Sequence, residues 1–147
     1  MNKKQNKIGF ILLGVETLHF KKKSPPEKDF FDSIELYIAT NFEIDDENKI
    51  ISSGFGVKYI FEDKSLIDLS MKCVFKIKPE TWDKFKKGNK FKIPLGFALH
   101  LAMLTVGTAR GILHCKTEKT AYKDLILPTI NLTEIIKDDI EITINDF

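Results

Sequence analysis

The chain has 147 residues, with 23 basic against 21 acidic side chains and a formal net charge of +2. That is the length of one domain with enough chain for a real core, and both charge signs are scattered along it. Such a pattern offers no electrostatic footprint for nucleic acid. The two cysteines, Cys73 and Cys115, have no metal-type spacing and fit free thiols in a reducing, cytoplasmic setting.

Met1 to Lys7 is basic and Ile8 to Val15 apolar, which imitates a signal peptide, but no small-x-small cleavage site follows. A first strand over residues 8–20 is expected, with residues 1–7 disordered. The second strand spans 34–44, with Ile34, Leu36, Ile38, Phe42 and Ile44 on one face and Glu35, Tyr37, Asn41 and Glu43 on the other. Asp45 to Lys49 is a turn by composition. A third strand spans 50–61, where Gly54 and Gly56 suggest a bulge or a close contact. The fourth, over 66–78, points Ile67, Leu69, Met71, Cys73, Phe75 and Ile77 inward and Asp68, Ser70, Lys72, Lys76 and Lys78 outward. Alternation this regular means one buried and one wet face, hence antiparallel pairing. A short helix from Pro79 stops at Gly88, and a long helix occupies about 94–115. A last short helix, capped by Asn131 or Thr133, carries Ile135 and Ile136, and residues 138–147 form a tail. Strands followed by helices give a single α+β domain over 1–147: a four-stranded antiparallel sheet with one long and one or two short helices on one face.

The long helix is apolar on every side. Leu95, Leu99, Ala102, Val106, Ala109 and Leu113 make one stripe, and Phe97, Leu104, Gly107 and Gly111 another. Such a helix is buried all round or lies in a membrane. His100, Arg110 and three glycines argue against membrane insertion. A chain this short struggles to cover the helix alone, so an oligomer is expected, most simply a tetramer. Leu99, Met103, Val106, Gly107 and Gly111 are its candidate interface residues.

Catalytic constellations are missing. His19, His100 and His114 are dispersed, the last two about 21 Å apart at helical rise. No glycine-rich phosphate loop follows a strand, and no metal or cofactor is expected. Arg110, in apolar company, should pair with a carboxylate or with carbonyls. Phe30 and Phe31 sit between polar residues without a period that would place both rings in a core. They are loop anchors or part of a groove for apolar peptide.

Three local motifs together resemble the SecB export-chaperone family over residues 8–137. They are Leu127-Pro128-Thr129-Ile130-Asn131-Leu132-Thr133-Glu134-Ile135-Ile136, the helix end Thr105-Val106-Gly107-Thr108-Ala109-Arg110-Gly111, and Leu18-His19-Phe20 ahead of Ser24-Pro25-Pro26. The resemblance implies a dimer of dimers that holds unfolded polypeptide or preprotein clients in hydrophobic grooves without ATP. On that footing Phe30, Phe31, Leu127 and Ile130 are the client-groove candidates. Export members also hand clients to the SecA motor through acidic residues on the wet sheet face. Here the matching positions hold Thr17 and Lys21, and Lys72, Lys76 and Lys78 line strand four, which puts the SecA hand-off in doubt. A solitary SecB-like chaperone or one associated with a toxin–antitoxin pair fits the charge better, and a SecB-like interaction module dedicated to one partner such as an antitoxin fits equally well.

Overall fold

A computed structural model describes residues 9–27 and 29–144; the expected disorder of residues 1–7 lies outside them. Four long strands, β1 (Phe10–Lys22), β2 (Glu35–Asp45), β3 (Ile50–Phe61) and β4 (Lys64–Ile77), form an antiparallel sheet in the order β1-β4-β3-β2. The two-residue alternation decides which face is covered. Every inward residue expected on β4, from Ile67 to Ile77, is at most 1% exposed, and β3 buries Ile51, Phe55, Val57, Tyr59 and Phe61. Glu62 and Asp63 both take positive φ, the mirror-image two-residue turn whose twist suits a tight hairpin between β3 and β4. The glycine of β3 that mattered is Gly54. No bulge occurs there; it faces Asn41 across the ladder, and a Cβ would overlap the Asn41 side-chain oxygen.

Helix α1 (Pro79–Phe85) ends earlier than Gly88 suggested, because Lys86 and Lys87 already form strand β5. Gly88, at φ +63°, turns the chain into β6 (Lys90–Ile93). Strand β7 (Ile140–Thr143) joins β6, so part of the expected tail completes a second sheet in the order β5-β6-β7. The final short helix is a single 3-10 turn over Leu132–Glu134, where the Asn131 side chain accepts from the Thr133 N–H at 3.2 Å. It goes no further because the chain must reach β7.

Helix α2 (Leu95–Thr117) lies across the inner face of β3 and β4. The Asp139 carboxylate accepts from the Leu95 N–H at 2.8 Å, answering an orphan donor and the positive end of the helix dipole. The buried hydroxyls of Thr105 and Thr117 bond back to the carbonyls of Leu101 and Leu113. One continuous core joins both sheets and both helices. Phe85 meets Phe91 and Phe97 edge to face and Trp82 lies tilted over Phe91, linking α1, β6 and the start of α2. Because α2 covers β3 and β4, the outer strands β1 and β2 are left with less above them.

Candidate functional site

Strand β2 is an edge strand of 11 residues, about 37 Å long at strand rise. Its ladder with β3 runs without a register break. The inward residues Leu36, Ile38, Phe42 and Ile44 pack against the core but remain half-buried, short of the burial reached on β3 and β4. The return segment after α2 roofs this strip incompletely. Leu125, Leu127, Leu132 and Ile136 enter the core, while Ile126 and Ile135 point to solvent. Two open hollows result. One, of about 530 Å³, lies between the end of β2 and β7 and is lined by Phe42, Ile44, Ile142 and Ile144 among others. The other, of about 340 Å³, lies between Thr40–Phe42 and residues 135–140. Phe42 belongs to both, so the two make one trough beside the free edge of β2.

Arg110 fixes the roof. Its Nε donates to the Leu127 carbonyl and its terminal nitrogen to the Pro128 carbonyl, each at 2.9 Å, which settles the expected pairing in favour of carbonyls. The Tyr59 hydroxyl on β3 is buried without a hydrogen-bond partner among the described residues. Burial pushes its pKa up to about 12, against the opposing pull of the Arg110 charge.

The four groove candidates fall into two pairs. Phe30 is 5% exposed and Leu127 2%, so both are core residues and neither offers a client its surface. Phe30 wedges edge-on against Phe61 and Tyr122, and the Tyr122 hydroxyl donates to the Lys23 carbonyl at 2.7 Å. Phe31 stacks on Phe30 at 4.6 Å and stays accessible, and Ile130 is half-buried against the core. The groove reading therefore narrows to Phe31 and Ile130. Ile126, Ile135, Phe42 and Ile44 were missed. Ile126 and Ile135 had a signal: each sits beside a residue that goes inward on an extended or single-turn stretch, so it must go outward.

A second apolar surface surrounds α2. Met103 and Leu104 are 63% and 43% exposed, and only about a third of the helix's most apolar stretch is buried. Among the described residues this is the one helix long and apolar enough to cross a membrane. Gly107 and Gly111 share the open face with Met103, and apart from the adjacent residues and the helix's own backbone nothing among the described residues lies within 4 Å of a Cβ at either. Leu99 is half-buried. Val106 belongs to the other side, 5% exposed in the core, and is corrected from interface candidate to core residue. Near the start of α2, Phe10 of β1 packs edge-on against Phe97 and His100. Along β1, Ile11, Leu12, Leu13, Val15 and Leu18 are all more than two-fifths exposed; Leu12 and Val15 lie across from the inward Phe75 and Cys73, and Ile11 across from the outward Lys76. No cluster of three metal-ligating side chains occurs among the described residues.

No family model matches the sequence, and no curated protein matches it. Among solved structures, a SecB-like chaperone of Mycobacterium tuberculosis, in complex with a ChAD peptide from the HigA1 antitoxin, superposes with a TM-score of 0.52 at 12% identity. The match covers 84% of this chain and 91% of that one. The chain thus has the mixed α+β fold of a SecB-like chaperone, with the four-stranded antiparallel sheet that the sequence implied.

Proposed function

We propose that this protein is an ATP-independent, SecB-like cytoplasmic chaperone that assembles with copies of itself and holds extended apolar polypeptide in the trough beside β2. The observation that carries the reading is the half-buried inner face of β2 next to an unbroken free strand edge. An extended client gains main-chain hydrogen bonds along such an edge and places alternate side chains over Phe42 and Ile44. Phe31, Ile126, Ile130 and Ile135 then add apolar area at about 25 cal/mol per Å² covered. Binding of this kind is read through area and backbone, not sequence, as a holder of unfolded chains requires.

A second reading has its own support. The structural neighbour is bound to an antitoxin peptide, which favours one dedicated partner over many clients. Suppression of aggregation separates the two. Several unrelated, chemically unfolded proteins are diluted into buffer with the chain, without ATP, and light scattering is followed. Protection of all of them supports the general holder, and protection of one alone supports the dedicated module. The double variant Phe31→Ser, Ile135→Ser should protect less, with a melting temperature lowered only by the lost stacking of Phe31 on Phe30. Full protection by that variant would remove Phe31 and Ile135 from the account.

A further inference from the structure

The charge scattered through the sequence converges at one place in the fold. On the outer face of the β5-β6-β7 sheet, Lys87 lies directly across from Lys90, and Lys92 across from Glu141. Lys84, on α1, closes the ring around a cleft of about 290 Å³ that includes Phe85 and Pro94. Among the described residues Glu141 is the only carboxylate lining it, and Lys90 holds that group at 3.1 Å. Among the described residues, Lys84, Lys87 and Lys92 have no ion-pair partner. Like charges facing each other across a ladder destabilise it. The fold carries that cost at a concave, partly apolar place.

We propose that this cleft docks an acidic peptide segment of a partner protein, with carboxylates on the lysine ring and one apolar side chain against Phe85 and Pro94. Lys90 and Lys92 stand two residues apart on one face of β6, about 7 Å along the strand, which is the spacing of alternate carboxylates on an extended chain. Nucleic acid fits less well. Phe85, the one aromatic in the lining, is 9% exposed, enough for a side chain to touch but no face for a base to stack on, and no arginine lines the cleft. The cleft lies on the small sheet and does not include the residues of the β2 trough, so the two sites fail or hold separately.

Fluorescence anisotropy on the full chain tests this. The probe is a short fluorescein-labelled peptide alternating glutamate and leucine, with a glutamine-for-glutamate copy as control. The parent should bind the acidic probe more tightly than the control, which the β2 trough can still hold, and that margin should shrink as salt rises. The double variant Lys87→Gln, Lys92→Gln should lose about tenfold in affinity, which two exposed ion pairs supply within their usual worth. It should melt no lower than the parent, since the facing lysines no longer repel, and Lys87→Arg with Lys92→Arg should keep the binding. Equal binding of the control, unchanged affinity in the glutamine variant, or loss of affinity only in Phe31→Ser, Ile135→Ser would overturn the proposal. Tighter binding of single-stranded RNA than of the acidic probe would do so as well.

Discussion

Met103→Lys tests whether the open face of α2 is an interface between copies. Met103 is 63% exposed on a helix face shared with Gly107 and Gly111. Fully burying a methionine side chain is worth about 1.5–3 kcal/mol. With nearly two-thirds of the residue still accessible, about 1–2 kcal/mol of that remains to be gained when a second copy covers it. A two-fold contact counts the residue twice, so removing both side chains should cost about 2–4 kcal/mol of association, and the lysines add their desolvation. The dissociation constant should therefore rise by roughly 30- to 1000-fold. Sedimentation equilibrium over a range of protein concentrations reads this directly. Chain stability should stay within about 0.5 kcal/mol, because the side chain is outside the core. A parent protein that is monomeric at micromolar concentration would refute the reasoning. So would a variant that associates as tightly as the parent.

Phe75, fully buried on β4, should cost about 3–5 kcal/mol when replaced by alanine, measured by urea unfolding; a change of surface size would mean the ring is not under α2. Arg110→Met should destabilise by about 1–3 kcal/mol by leaving carbonyls of the roof unpaired, with faster amide exchange near residues 125–131 than elsewhere. Asp46 accepts from Lys86 at 2.7 Å and from the Trp82 indole at 2.8 Å, which holds its carboxyl below the ordinary carboxylate range. A depressed folded pKa contributes stability above the unfolded value of about 3.9 and loses it as pH falls through the folded value. The stability gap between the parent and Asp46→Asn should accordingly close on acidification below about pH 4. A gap that does not change with pH in chemical unfolding would contradict it. Asp45, held down by Asn48, acts in the same direction in both proteins.

Most of the large sheet was legible because burial and alternation coincide there. A strand with one dry face must alternate, and β4 does so from Ile67 to Ile77. The small sheet escaped because its strands are short: Lys90-Phe91-Lys92-Ile93 and Ile140-Glu141-Ile142-Thr143 alternate too, but four residues do not separate a strand from an extended loop. Pairing β6 with β7 joins residues about fifty positions apart, which no local pattern encodes. The groove was harder still. Phe30 and Phe31 are chemically identical neighbours, and it is Phe61 and Tyr122, both distant in the chain, that decide which ring is covered. The all-round apolar character of α2 was visible, but which stripe turns inward depends on how the helix lands on β3 and β4. That is why Val106 and Met103 parted company.

The two edges of the large sheet differ in build. Strand β1 slips register against β4 at Leu13 and again at Leu18, and both extra residues are leucines thrown outward. Bulges spoil an edge as a template for continuous strand addition, while outward leucines make it adhesive through side chains. Strand β2 has the opposite design. Its register is unbroken, it lacks the proline and lysine that commonly guard an edge, and its dry side is only half covered. An edge left that open invites indiscriminate pairing unless pairing is its purpose. Assembly through β1 and the open stripe of α2 would bury the adhesive surfaces and leave β2 available, so that the same sheet can be closed to its own copies on one side and open to an extended client on the other.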